Sequence, residues 1–190
     1  RQMRAWQDAG IDLDFIAVNV SSRLFSRGEL EEHVRRVLTE TGLRSGCLEL
    51  EVTESAVMHD PDAACEQLRR LSNLGVRLSI DDFGTGYSSL LRLKSLPVDK
   101  LKIDQGFIAG LPDDEDDAAI TRAIIALANS LGLAVVAEGI ESPAQAALLA
   151  RYGCGLGQGY WFGRPLPAAE LDWRVRPLPR QHPESLTVRT

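Results

Sequence analysis

The sequence predicts an α/β protein built on the plan of a (β/α) barrel. Six short apolar runs, rich in β-branched residues and bounded by turn residues, alternate with segments that carry helical periodicity. Residues 75–82 and 132–139 share one pattern, in which a helix-ending glycine is followed by an apolar strand and an acidic residue. Strand–helix units in series form parallel sheets, and this repeat favours a barrel over a doubly wound sheet. A complete barrel has eight strands, and this chain is expected to supply about six of them.

Turn and capping residues delimit the individual elements. Asp60–Pro61 and Ser142–Pro143 each combine a side-chain N-cap with a proline in the first turn of a helix. Glycines mark the ends of four predicted helices: Gly42, Gly75, Gly132 and Gly153. Residues 1–9 are predicted to form the last part of a helix. The predicted strands are residues 15–20, 48–52, 76–80, 100–103, 134–137 and 160–162.

Composition excludes several classes of protein. Of the 190 residues, 21 are Lys or Arg and 27 are Asp or Glu, and the net charge of −6 argues against a general nucleic-acid binder. No apolar run is long enough to cross a bilayer, and the charged start of the chain predicts no signal peptide. Three cysteines without zinc spacing favour a reducing, cytoplasmic location. We expect one domain over residues 1–172 and a flexible, Pro- and Arg-rich tail over residues 173–190.

Polar side chains stand at the ends of the predicted strands. The carboxyl ends of barrel strands converge on one rim, where active sites lie. Oxygen ligands of this kind suit Mg²⁺ or Mn²⁺, and two such ions suit the hydrolysis of a phosphodiester. Lys102 on the same rim is placed to hold a water or a phosphate oxygen. The residues expected to point at one spot are Asn19, Glu51, Asp81 and Glu138.

Each of these residues also has an ordinary explanation. Asp81–Asp82 is compatible with a solvated turn, and Asn19 with a turn residue at a strand end. Glu51 and Glu54 are compatible with acids at the start of a helix. Lys102 is compatible with the exposed face of an edge strand. A functional site is favoured because five strand ends carry an acid, an amide or a lysine at equivalent places.

Five separated motifs resemble the EAL-domain cyclic di-GMP phosphodiesterases. The resemblance covers about residues 1–172 and implies a modified (β/α)₈ barrel with one antiparallel strand. It implies hydrolysis of cyclic di-GMP to linear pGpG with Mg²⁺ or Mn²⁺ in a two-metal site. The motifs are Glu51-Val-Thr-Glu54, Asp81-Asp-Phe-Gly-Thr-Gly-Tyr-Ser-Ser89, Lys100-Leu-Lys-Ile-Asp104, Val136-Ala-Glu-Gly-Ile-Glu141, and Gln158-Gly-Tyr160 with Arg164-Pro-Leu-Pro167.

The resemblance also implies a role for each matching residue. Lys102 corresponds to the lysine that positions the nucleophilic water. Glu138 corresponds to a glutamate that serves as general base or at the second metal, and Glu54 to the anchor of the loop over residues 83–89. The implied metal-binding residues are Asn19, Glu51, Asp81 and Asp82. The implied positions around the substrate are Gln158, Glu141 and Arg164.

One motif of the family has no counterpart in this sequence. No Glu-Ala-Leu is present, and Gly28-Glu-Leu30 predicts a helix start instead of that strand. The match is therefore to the C-terminal three quarters of the domain, with an open sheet edge beside residues 15–20. Whether a longer protein supplies the missing strand is left open. We expect a phosphodiesterase in the intact protein and weak activity in this chain alone; the alternative is a cyclic di-GMP-binding or protein-interaction module without turnover.

The resemblance carries expectations about partners as well. We expect a homodimer, cyclic di-GMP as the ligand, and no nucleic-acid polymer. Sensor or cyclase-like domains are expected elsewhere in the longer protein, and its anchoring to a membrane is left open.

Overall fold

The computed structural model describes residues 1–11, 13–86 and 90–171. The chain divides into two compact units, the first ending at Lys100 and the second beginning at Leu101. The predicted tail over residues 173–190 and residues 87–89 of the predicted loop lie outside the described residues.

The first unit is a parallel sheet with helices in its connections. Its strands β1 (Ile16–Val20), β2 (Leu48–Thr53) and β3 (Arg77–Phe83) are parallel and are neighbours in that order. A short 3₁₀ turn at Ser45–Cys47 precedes β2. The helices are α1 (Gln2–Asp8), α2 (Ser22–Ser26), α3 (Leu30–Thr41), α4 (Glu54–His59), α5 (Pro61–Asn73) and α6 (Leu90–Leu93).

Local sequence explains where these helices begin and end. The Asp60 side chain accepts a hydrogen bond from the backbone N–H of Ala63, and Pro61 occupies the first turn of α5. Helix α3 ends at Gly42, whose φ of 63° is the left-handed conformation that glycine adopts without a steric penalty. The predicted N-cap of α5 and the predicted end of α3 are therefore confirmed.

The two faces of this sheet differ in character. On one face, Leu50 and Val52 of β2 and Ile80 of β3 are buried, and α5 contributes the fully buried Leu68 and Leu71 to the same core. On the other face, polar side chains recur at every second residue of β2 and β3, and most of them are buried as well. Burial on both faces is typical of parallel strands, and it is the reason that the functional side chains of this unit stand on a rigid support.

The second unit continues the alternation of strands and helices. Strand β4 (Lys100–Ile103) starts at the last residue of the first unit, and β4, β5 (Ala134–Ala137) and β6 (Leu156–Gly157) are neighbours in that order. Strands β5 and β6 are parallel. The helices are α7 (Gly106–Ala109), α8 (Glu115–Ser130) and α9 (Pro143–Arg151), followed by a 3₁₀ turn at Ala168–Glu170.

Capping is again specific in this unit. Ser142 and Gln145 form a capping box at the start of α9, which confirms the helix start predicted at Ser142–Pro143. Asp114 accepts hydrogen bonds from the backbone N–H groups of Asp116 and Asp117 and so caps α8.

The predicted strand at residues 160–162 is wrong. These residues form a turn, and the last strand among the described residues is β6, which ends before Gln158. The aromatic residues suggested a strand, but Gly159 has a φ of +157° and a Cβ there would collide with the backbone of Ile140. This close approach folds the chain into a turn. Gln158 therefore follows the carboxyl end of a strand, as the other candidate residues do.

The three cysteines are packing residues of the core, and the membrane prediction concerns the helices. Cys47, Cys65 and Cys154 are free and buried, as expected of small packing residues. Burial raises the pKa of the Cys154 thiol to about 11, so it stays protonated at neutral pH. Within the described part of the chain, no helix is long and apolar enough to cross a membrane.

A buried ion pair in the first unit was not predicted from the sequence. The Lys100 ammonium lies 2.8 and 2.6 Å from the two carboxylate oxygens of Glu49, and the side chains are only 10% and 2% exposed. The same ammonium lies 4.4 Å from the centre of the Phe15 ring, and the Arg77 guanidinium lies 4.8 Å from it. The Phe15 ring therefore contacts two cations in this layer of the sheet.

We expect Lys100→Met to lower the free energy of unfolding by about 3–5 kcal/mol, because the carboxylate of Glu49 would remain buried without its cation. The double variant with Glu49→Leu should recover most of that loss, since it removes both charges. Urea denaturation monitored by circular dichroism measures both effects.

The exposed pair Arg4–Asp8, at 2.9 Å, provides the control. Arg4→Met should cost less than about 1 kcal/mol, as solvent-exposed ion pairs do. Equal losses for Lys100→Met and the double variant would show that the pair does not act through charge neutralisation.

Candidate active site

Strand register brings three predicted metal ligands of the first unit together. Asn19 of β1 is paired with Glu51 of β2. Asp81 of β3 is paired with Thr53, which lies two residues after Glu51 on the same face of β2. The side-chain amide of Asn19 lies 3.1 Å from Glu51 Oε2 and 3.2 Å from Asp81 Oδ2. Glu51 and Asp81 are buried, whereas Asn19 is exposed.

The close approach of the Asn19 amide to two carboxylates can be satisfied in two ways. If the Asn19 amide is turned, its nitrogen donates hydrogen bonds to both carboxylates. If the oxygen faces the carboxylates, a cation bound among the three groups would balance them. Neighbouring ligands of an octahedral Mg²⁺ bound at about 2.1 Å are separated by about 3 Å, which is close to the observed spacing. The three residues therefore fit a hard divalent cation.

Asp82 follows in an unusual backbone conformation. Its φ of +54° is in the left-handed region, which is uncommon for a residue other than glycine and is typical of functional sites. Strand alternation alone would direct Asp81 and Asp82 to opposite faces, yet carboxylate oxygens of the two lie within 4.8 Å of each other. Both residues belong to β3 and not to a solvated turn.

Glu54 holds the segment that follows β3. It is the first residue of α4 and is 1% exposed, and its Oε2 accepts hydrogen bonds from the backbone N–H of Gly84 at 2.8 Å and of Gly86 at 3.4 Å. A Cβ at Gly86 would lie 3.0 Å from the same carboxylate, so a side chain there would press on it. Phe83, which was expected to begin the loop, is instead the buried last residue of β3.

In the second unit, Lys102 and Glu138 form an ion pair. Lys102 Nζ lies 2.7 Å from Glu138 Oε1, with side chains 5% and 18% exposed. Lys102 is therefore buried, and the explanation as an exposed edge-strand residue is wrong. Glu138 follows β5 directly, and its backbone N–H donates to Ile103 at the end of β4. The strand pairing thus fixes the backbones that carry both charged groups.

The three predicted substrate-binding residues lie in loops of the second unit. Gln158 is exposed just after β6, and its backbone pairs with Ala137 and Ile140. Glu141 is also exposed, and its backbone N–H donates to Gln145. The Arg164 guanidinium lies 4.3 Å from the centre of the Tyr160 ring. These side chains are accessible to a ligand.

Sequence reasoning missed Glu49, Lys100 and Ser79. The spacing held a signal for the first two, because Glu49 and Lys100 each lie two residues before a predicted site residue and so share its face. Ser79 carried the same signal, because it lies two residues before Asp81. Its pairing with Glu51 on the neighbouring strand is seen only in the structure.

Comparisons with known proteins identify the family of the chain. A family model described as "EAL domain" matches residues 1–165. The bifunctional diguanylate cyclase/cyclic di-GMP phosphodiesterase MucR of Pseudomonas aeruginosa is 53% identical over 90% of this chain and 25% of its own length. The cyclic di-GMP phosphodiesterase NbdA of Pseudomonas aeruginosa is 49% identical over 93% of this chain and 22% of its own. The chain thus spans about a quarter of the length of these curated relatives.

Solved structures show the same fold. The PaMucR phosphodiesterase in complex with c-di-GMP superposes with a TM-score of 0.86 at 52% identity, over 88% of this chain and 68% of that one. The EAL domain of Mycobacterium smegmatis DcpA gives a TM-score of 0.82 at 42% identity, over 89% and 76%. The predicted fold class, an EAL-type barrel represented here by six strands, is confirmed. The chain belongs to the EAL domain family.

Proposed function

We propose that this protein is a metal-dependent phosphodiesterase that hydrolyses cyclic di-GMP to linear pGpG in bacterial second-messenger signalling. The observation that carries the proposal is the convergence of the Asn19 side-chain amide with the carboxylates of Glu51 and Asp81, which lie 3.1 and 3.2 Å from it on neighbouring strands. The names of the phosphodiesterase relatives and the c-di-GMP complex of the PaMucR phosphodiesterase support the choice of substrate.

The residues of the first unit are proposed to hold the metal ions. Asn19, Glu51 and Asp81 would bind one Mg²⁺ or Mn²⁺, and Asp82 would serve a second. Bound ions of this kind polarise the scissile phosphate and lower the pKa of a coordinated water. The all-oxygen donor set suits these hard cations better than Zn²⁺.

Lys102 and Glu138 are proposed to handle the attacking water. The Lys102 ammonium orients it, and the Glu138 carboxylate accepts its proton. The water oxygen forms a bond to phosphorus, the bond from phosphorus to the 3′ oxygen breaks, and that oxygen takes up a proton from solvent. One phosphodiester of the cyclic dinucleotide is thereby opened, and the product carries a 5′ phosphate.

Gln158, Glu141 and Arg164 are proposed to contact the substrate. An amide and a carboxylate can hydrogen-bond the donor and acceptor edges of guanine, and a guanidinium can bind phosphate oxygens or stack on a base. Further sensor or cyclase-like domains and a homodimer are proposed for the longer protein, since one of the relatives is named as bifunctional.

A second candidate is a module that binds cyclic di-GMP without turnover. Two observations favour it: the sequence contains no Glu-Ala-Leu, and β1 lies at the edge of the described sheet with Val18 44% exposed. Formation of pGpG separates the two candidates, because the binding module would show cyclic di-GMP binding by calorimetry and no product.

For this chain alone we expect pGpG formation at least about 10²-fold slower than in a form extended upstream by the missing strands. Loss of a ligand and of about 1 Å of precision at a catalytic site has an effect of that order. Chromatographic assay of both forms under the same metal concentration measures the ratio. Equal rates would show that the missing segment contributes no essential ligand.

We expect Asp81→Asn to abolish turnover and to weaken Mn²⁺ binding, because the site would lose a negative charge that balances the cations. The assays are pGpG formation and Mn²⁺ titration in the intact protein. Asp8→Asn, at an exposed carboxylate of α1, is the matched control and should leave both unchanged. A fully active Asp81→Asn variant would contradict the two-metal proposal.

We expect Lys102→Ala to lower kcat by about 10²-fold or more with little change in KM, because orientation of the water matters most in the transition state. Steady-state kinetics with cyclic di-GMP separate the two parameters. Lys94→Ala, at an exposed lysine, should change neither. A rise in KM at constant kcat would instead identify Lys102 as a substrate-binding residue.

A further inference from the structure

Ser79 stands out as a buried hydroxyl without a hydrogen-bond partner. It is 1% exposed, and its Oγ makes no hydrogen bond. An unpaired buried hydroxyl costs free energy, so native proteins keep one mainly where a ligand, a water or a second state supplies the partner. A hydrogen-bond partner for this hydroxyl has to lie on the same face of the sheet.

The position of Ser79 in the sheet identifies that partner. The register pairs Ser79 with Glu51 on the neighbouring strand, and adjacent strands are about 4.8 Å apart. Along β3, Ser79 lies between Arg77 and Asp81 on the same face, because successive side chains alternate. An ionised carboxylate only accepts hydrogen bonds. The hydroxyl of Ser79 is thus a donor beside the acceptor group of Glu51.

We infer that Ser79 is a positioning residue for Glu51, donating a hydrogen bond to its carboxylate when a divalent cation is bound; this rests on the proposed function. Glu51 directs Oε2 toward Asn19, the side on which the cation is proposed to lie. Groups that hydrogen-bond a metal-ligating carboxylate fix its orientation, and their removal weakens metal binding by about 10–100-fold.

The test is a Mn²⁺ titration, followed by the loss of the electron paramagnetic resonance signal of the free ion, together with the melting temperature of the metal-free protein. Ser79→Ala should weaken Mn²⁺ binding by about 10-fold without lowering the metal-free melting temperature, because it removes only an unpaired hydroxyl. Ser79→Thr keeps the hydroxyl and should retain most of the affinity. If the extra methyl group of Ser79→Thr lowers the melting temperature, the Mn²⁺ affinity of Ser79→Ala alone is used to test the inference.

Ser130→Ala is the matched control, since it removes a hydroxyl that bonds only within helix α8. It should leave Mn²⁺ affinity unchanged. Unchanged affinity in Ser79→Ala, or a loss matched by a lower metal-free melting temperature, would overturn the positioning role while leaving the proposed function intact. Absence of Mn²⁺ binding by the unmodified protein would instead overturn the metal site itself, and the role of Ser79 with it.

Discussion

The register of the three parallel strands β1, β2 and β3 is the constraint on which the first unit depends. A shift of one residue in β2 would turn Glu51 to the helix-covered face and bring Leu50 or Val52 to the polar face. The apolar core prevents that shift, because burying a carboxylate against α5 would be far costlier than any gain in pairing. Hydrophobic packing on one face therefore sets the positions of the candidate metal ligands on the other.

Buried carboxylates of the first unit are stabilised in different ways, and the difference indicates which are structural. Glu49 is held by the ammonium of Lys100 at 2.6 and 2.8 Å, so its charge is neutralised within the fold. Glu54 accepts two backbone N–H groups and is used to hold a loop. Glu51 and Asp81 instead both approach the side-chain amide of Asn19. This third arrangement is the one to which we assign the proposed cation, whereas Glu49 and Glu54 are assigned to the fold.

The sequence predicts strand ends and helix caps well, since both depend on local chemistry. Asp60 and Ser142 cap their helices as expected. Glu54 and Glu138 directly follow their strands, whereas Asp81 and Asp82 lie within β3, which runs three residues further than predicted. Local patterns failed at residues 160–162, where a close approach of Gly159 to Ile140 decides the conformation. The Glu49–Lys100 pair and the unpaired Ser79 also escaped prediction. They depend on which residues face each other across strands, and a single sequence does not give that register.

At the end of β3, features that suit a metal site lower the stability of the metal-free fold. A left-handed residue such as Asp82 and several acids in a small volume both destabilise the metal-free state. Such features persist only where the surrounding structure fixes them, as the paired strands and the Glu54 tether do here. A cation that binds the folded state and not the unfolded chain would offset part of that cost. The proposed metal binding would thus stabilise the fold, because the residues that are unfavourable in the metal-free state are those proposed to hold the ions.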